Sequence, residues 1–196
     1  MKTMEYAYDA FSRQVLNRVQ DANGVREYTR IWNGRQSIEE WENGQLSKSF
    51  IYGARVSEPV QMIRHTEGGL AQYFYAFNGR GFVTALVDPL GKPVERYRYD
   101  VFRQPFLSER NGQPVNEMIS SSPLGNPFLG CGRLWDSDIG SSFGLGSEYD
   151  PWTGQVTNPE SGPGEPGCEN DYSGGENPGI RVRRDTLRSQ LLRAMI

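Results

Sequence analysis

Imidazole and thiol are nearly absent from this chain: its 196 residues carry one histidine, His65, and two cysteines, Cys131 and Cys168. Zinc and most transition-metal sites gather several such ligands at short fixed spacings, and these three residues match none. With one imidazole, a Ser-His-acid triad would have to be assembled from scattered residues, and no serine sits in a nucleophile-elbow pattern. The two thiols read as one buried and one exposed rather than as a bridge. No window is apolar enough and long enough to cross a bilayer as a helix. Residues 1–13 lack the apolar stretch of a Sec signal, so the chain reads as cytoplasmic as written or exported by a non-Sec route within a larger system. A net charge of −3 gives no overall electrostatic case for nucleic acid or an anionic membrane.

What is abundant is turn chemistry and tyrosine. Glycine (23) and proline (12) punctuate the chain, and Tyr8, Tyr28, Tyr52, Tyr75 and Tyr99 recur at steps of 20, 24, 23 and 24 residues. Turn signals keep time with them at Asn23-Gly24, Asn43-Gly44, Gly68-Gly69, Pro89-Leu90-Gly91 and Asn111-Gly112. A fixed period in the twenties with a turn in each period means stacked supersecondary units, none able to bury its apolar face alone. Between turns, β-branched and aromatic residues alternate, as in Val15, Val19, Val25 and Ile31, or Phe82 to Val87 followed by Val94 to Tyr99. That is the signature of hairpins, one per period. The tyrosines, with Trp32 and Trp41, read as a packing ladder across neighbouring strands; a row for stacking sugars or bases is the functional alternative.

From Asn116 the pattern changes. Residues 125–159 are glycine-dense, with Phe128, Leu134, Trp135, Phe143, Leu145, Tyr149 and Trp152 as anchors of short irregular strands. Residues 158–179 hold ten Gly or Pro and five acids with no Lys or Arg, a composition that reads as a linker. Residues 180–196 carry five arginines against Asp185. There Leu187, Leu191, Leu192 and Met195 share one helical face and Asp185 is placed to cap it, which predicts a short amphipathic helix. The expected organisation is therefore hairpins over 1–115, a core block over 116–159, a linker over 160–179 and a basic tail over 180–196. Asp136-Ser137-Asp138 reads as a solvated turn, with weak calcium binding as its alternative.

Three ordered segments make the pattern specific: Tyr6-x-Tyr8-Asp9-x-Phe11-x-Arg13, Tyr73-Phe74-Tyr75-x-Phe77-x-Gly79-Arg80 and Tyr97-x-Tyr99-Asp100-x-Phe102-Arg103. With Asn126-Pro127-Phe128-Leu129, Gly132-Arg133, Trp135-Asp136 and Tyr149-Asp150-Pro151-x-x-Gly154 behind them, residues 1–159 resemble the Rhs/YD-repeat family and its repeat-associated core. The resemblance implies an all-β fold, a strip of antiparallel hairpins forming part of a spiral shell that encloses a C-terminal toxin or serves adhesion, with the core block as a plug. In encapsulating members an aspartyl autoprotease built on two Asp-Pro-x-Gly motifs frees the cargo. Here Asn158 stands at the first protease aspartate and no second motif follows, and an amide cannot share a proton as paired carboxylates do. Asp88-Pro89-Leu90-Gly91 reads as a hairpin turn, and Asp150-Pro151 belongs to the core block.

The sequence thus assigns no catalytic residue, cofactor or metal ligand. It leads to the expectation of a structural end segment of an Rhs/YD shell, not an enzyme, whose partners are further YD-repeat polypeptide, an effector domain or a second copy through a bare sheet edge. The alternative is a cell-surface module recognising carbohydrate or a partner protein.

Overall fold

The computed structural model describes residues 2–54, 58–130, 132–144 and 147–157. Eleven strands follow one another in a single antiparallel sheet whose spatial order is the chain order. They are β1 (Thr3–Tyr8), β2 (Gln14–Asp21), β3 (Gly24–Asn33), β4 (Gln36–Glu42), β5 (Gln45–Tyr52), β6 (Pro59–Thr66), β7 (Gly69–Phe77), β8 (Val83–Val87), β9 (Pro93–Tyr99), β10 (Pro105–Arg110) and β11 (Gln113–Met118). A second antiparallel sheet holds β12 (Leu134–Asp136), β13 (Ser141–Gly144), β14 (Ser147–Asp150) and β15 (Gln155–Thr157). The described residues are all-β, as the turn chemistry implied. The helix expected over 180–196 and the linker over 160–179 lie outside them.

The five periodic tyrosines fall on β1, β3, β5, β7 and β9, so one sequence period is two strands, a hairpin. Their polar tips explain why an aromatic with a donor recurs. Tyr52 Oη donates to the Ser37 carbonyl (2.7 Å) and Tyr99 Oη to that of Val83 (2.8 Å), while on β3 Trp32 Nε1 donates to that of Gln14 (3.0 Å). Each ring packs as apolar surface while its one polar atom is satisfied by a strand carbonyl.

The turns show what the aspartate after the tyrosine does. In four five-residue loops, starting at Asp9, Asn78, Asp88 and Asp100, the side-chain Oδ1 accepts the N–H groups two and four residues on. The fourth residue of each loop has positive φ: Ser12, Gly81, Gly91 and Arg103 at 58°, 78°, 79° and 66°. Asp or Asn at the start supplies the acceptor that a tight loop otherwise lacks. The Asn43-Gly44 and Asn111-Gly112 hairpins instead place both central residues at positive φ, the geometry that matches strand twist.

Which side of each strand faces inward departs from simple alternation. Val25, Ile31, Ile51, Val60 and Leu70 are exposed. The buried positions of β2 to β5 are Gln14, Asn17, Val19, Arg30, Ser37, Glu40, Lys48 and Phe50. Register shifts on both flanks of β4, between Ile31 and Trp32 and between Glu40 and Trp41, let Ser37 and Glu40, three residues apart, both turn inward. The apolar core lies further along, on β5 to β10. Phe50, Met62, Tyr75, Val83, Leu86, Tyr97 and Leu107 pack there against Ile119, Phe128, Leu129, Leu134 and Trp135 of the segment that follows β11.

That segment is wrapped by the large sheet. Trp135 Nε1 donates to the Ser120 carbonyl (2.6 Å), and the adjacent Ile119 N–H bonds Pro105 at the start of β10. The next residue, Asp136, accepts from Asn17 Nδ2 on β2 (3.1 Å). Eight strand steps separate β2 from β10, about 38 Å in a flat sheet, more than two neighbouring residues and their side chains reach. The sheet therefore curves around residues 119–157. Phe128 sits at the centre of the contact, edge-on to Phe50, Tyr52 and Tyr75 at 5.0, 6.1 and 5.9 Å. The aromatic ladder is thus interrupted: Phe128 lies against both Tyr52 and Tyr75. Of the other expected anchors, Leu134 and Trp135 are buried, but Trp152 is exposed.

Candidate functional site

Carboxylates are the first place to look for acid–base chemistry, and the two most buried are already committed. Glu95 on β9 accepts from Tyr97 Oη, from Ser122 Oγ (2.6 Å) and from the Leu124 N–H (2.8 Å). Burial and the adjacent carboxylate push the Tyr97 hydroxyl well above its ordinary value. Asn126 extends the network, accepting from Tyr75 Oη (3.0 Å) and from the Phe128 N–H (2.9 Å). This cluster latches residues 122–128 to β7 and β9 and presents no open face to a substrate. Glu40 on β4 lies between Arg30 on β3 and Lys48 on β5, and Gln14 also accepts from Arg30. Burial alone would raise the Glu40 carboxyl, but the Lys48 and Arg30 cations outweigh it and hold it below the usual carboxylate range.

Asp136-Ser137-Asp138 is not the solvated turn that its composition suggested. Asp136 is buried against Asn17, while Asp138 pairs with Lys2 (2.8 Å) and Arg26 (3.6 Å). The two acids join the second sheet to β2, to β3 and to Lys2, just before β1. Burial shifts the Asp136 carboxyl upward despite a hydrogen bond from the Asp138 N–H. Among the described residues, no group of three or more His, Cys, Asp or Glu is arranged to hold a metal ion.

His65 does find a serine: its Nε2 lies 3.0 Å from Ser49 Oγ across β5 and β6. The nearest acid in register is Glu39, paired with Ser49 from the opposite side and accepting from Trp41 Nε1 (2.9 Å). Serine, not histidine, is thus central, the reverse of what proton relay to a triad acid requires.

An open cleft lies elsewhere, where the β9–β10 loop meets the second sheet. It is small, with a volume of about 20 Å³, and is lined by Arg103, Arg133, Trp135, Ser142 and Tyr149 together with Leu129 and Gly130. Arg103 occupies the positive-φ position of the Asp100 loop. Its guanidinium lies over the rings of Tyr149 (5.3 Å) and Phe82 (5.9 Å). Tyr149 Oη donates to the Phe102 carbonyl (2.8 Å), which fixes the loop against β14. Phe102 and, in the β14–β15 turn, Trp152 are exposed, and Phe102 abuts that turn at Gly154. Sequence reasoning named Arg103 and Arg133 only as motif positions. The available signal was the arginine in a loop position where two sister loops carry glycine.

The fold defined by these hairpins and their wrapped segment is Rhs-like. A crystal structure of TcdB2-TccC3-TEV matches 78% of this chain and 7% of that chain with a TM-score of 0.53 at 13% identity, a likeness of fold alone. No protein-family model matches the chain. In sequence it is 28% identical over 147 residues to the tRNA3(Ser)-specific nuclease WapA of Bacillus spizizenii, and 29% identical over 147 residues to the tRNA(Glu)-specific nuclease WapA of Bacillus subtilis subsp. natto. Each match covers 73% of this chain and 6% of the relative. The tRNA nuclease WapA of Bacillus subtilis strain 168 is 28% identical over 118 residues, 58% of this chain and 5% of the relative. These relatives overturn the expectation of a non-enzymatic structural segment, because all three bear the names of RNA-cleaving enzymes. The chain spans about 6% of the length of these two relatives.

Proposed function

We propose that this chain is part of a tRNA nuclease polypeptide of the WapA kind. The observation that carries the reading is identity of 28–29% over 147 residues with two proteins named as nucleases for particular tRNAs. RNA cleavage is then the activity to assay, with tRNA as substrate. The polypeptide encoded by the whole reading frame and the 196-residue chain alone are incubated with bulk tRNA, and new ends are mapped. Discrete cleavage of particular tRNAs by the whole polypeptide bears out the reading; intact tRNA after prolonged incubation with both refutes it.

The outer edges of β1 and β11, which end the large sheet among the described residues, supply the partner half of the proposal. Their outward N–H and C=O groups invite strand addition by further YD-repeat polypeptide or by a second copy.

A further inference from the structure

We propose that Asn111-Gly112, the turn between β10 and β11, is a self-modification site: it deamidates through a succinimide with water as co-reactant, and the isoaspartyl product loosens the turn end of β11. The Gly112 nitrogen, its proton taken by solvent base, attacks Asn111 Cγ and closes the ring. The Cγ–Nδ2 bond breaks, and Nδ2 leaves as ammonia with a proton regained from solvent. Water then opens the ring at either carbonyl, giving aspartate, or isoaspartate with the backbone routed through Cβ and Cγ. Glycine suits the attacking position because no Cβ shields its nitrogen. Neither step depends on the tRNA-nuclease reading.

Asn-Gly occurs at 23–24, 33–34, 43–44, 78–79 and 111–112, each asparagine exposed and in or beside a turn. Contacts rank these sites where the dipeptide does not. Asn43 and Asn111 are the like-for-like pair. Both open hairpin turns with φ of 50°, followed by glycine at 79° and 81°. Both donate the backbone N–H to a carbonyl on the strand before their hairpin, Glu27 (2.8 Å) and Val94 (2.9 Å). The Asn43 carboxamide is also tied down, its Oδ1 accepting from the Glu27 N–H (3.0 Å), and that bond must break before Cγ reaches the Gly44 nitrogen. Among the described residues the Asn111 carboxamide has no such hydrogen bond. Asn78 is held more firmly still, with Oδ1 accepting from the Arg80 and Phe82 N–H groups (2.9 and 3.0 Å). The 23–24 turn is pinned by Asp21, which accepts from the Asn23 N–H (2.7 Å) and pairs with Arg26. Arg13 pins the 33–34 turn by donating to the Gly34 carbonyl (2.6 Å). The 111–112 turn leads instead into a strand exposed at every position, whose Pro114, opposite Glu109, brings no N–H to the ladder. Isoaspartate adds one backbone atom there, which unseats the Arg110–Gln113 and Glu109–Pro114 pairs. The Ile119 N–H on the Pro105 carbonyl keeps the far end of β11 in place.

The test incubates the folded 196-residue chain at mildly alkaline pH and maps its peptides by mass spectrometry, with fragmentation that separates aspartate from isoaspartate. A urea-unfolded sample run in parallel gives each site its intrinsic rate. Relative to that rate, Asn111 is expected to react about fivefold faster than Asn43, the factor set by one hydrogen bond that must first break. Asn78, with two such bonds, is expected to be slower than Asn43. Hydrogen exchange, read separately on modified and unmodified chains, is expected to show protection lost over residues 109–113 and kept over 105–107. Equal normalised rates at Asn43 and Asn111, or a faster one at any other Asn-Gly, overturns the choice of site. Unaltered protection in the isoaspartyl chain overturns the loosening of β11.

Discussion

Replacing Phe128 by alanine probes the contact that holds residues 119–157 inside the curved sheet. Phe128 is 3% exposed and meets three rings edge-on at centroid distances of 5.0 to 6.1 Å. Truncating a buried phenylalanine costs about 3–5 kcal/mol from lost transfer energy and the cavity left behind. The edge-on pairs add about 0.5–1.5 kcal/mol each in isolation, a sum not wholly realised because the rings share one pocket. A loss near the upper end, about 4–5 kcal/mol, is therefore expected, a large fraction of the stability of an ordinary domain. Urea unfolding followed by tryptophan fluorescence measures it, with Phe11→Ala as the control. Phe11 is 74% exposed and touches Arg13 across solvent, so its truncation should cost less than about 1 kcal/mol. Limited proteolysis adds a spatial readout, since cuts in Phe128→Ala should concentrate in residues 119–157 before the hairpins are attacked. A loss below about 1 kcal/mol for Phe128→Ala, or cuts spread evenly along the chain, would refute the wrapped arrangement.

The remaining predictions concern charge, turns and edges. Glu40 has a folded pKa below its unfolded value, so its stabilisation is fully present above the ordinary glutamate range near about 4.3 and is lost as pH falls through the folded value. Glu40→Gln should cost about 3–5 kcal/mol at neutral pH by leaving Arg30 and Lys48 unpaired and should flatten the acid limb of stability against pH; an unchanged acid limb would show the triad to be inert. Asp100→Ala removes the acceptor of the Phe102 and Gln104 N–H groups (2.8 and 2.9 Å) and should cost about 1–2 kcal/mol, while Asp100→Asn keeps the acceptor and most of the stability; equal losses in both variants would mean charge, not turn geometry, matters. Sedimentation over a wide concentration range should show association through the β1 and β11 edges, and a monomer at every concentration, unmoved by added YD-repeat polypeptide, would mean the edges are covered from within.

The sequence by itself determined the hairpins. Asp and Asn at the head of the five-residue loops, Asn-Gly at 43–44 and 111–112, and tyrosine on every second strand are local chemistry, and local chemistry is written in neighbouring residues. The anchors Phe128, Leu134 and Trp135 were legible for the same reason, as large apolar residues in a glycine-dense stretch. Tertiary structure alone decided which face of each strand is inside. Bulges beside β4 and along β5 to β10 shift the register by one residue, and each such shift exchanges the two faces of a strand. Arg30, Glu40 and Lys48 lie buried while Val25, Ile31 and Leu70 meet solvent. The cleft at Arg103 was equally out of reach, because its walls come from the 103 loop, residues 129–135 and the 142–149 hairpin. These meet only when the sheet has curved around the segment it encloses, and that curvature is set by the packing of residues far apart in the chain, such as Asn17 against Asp136 and Phe50 against Phe128.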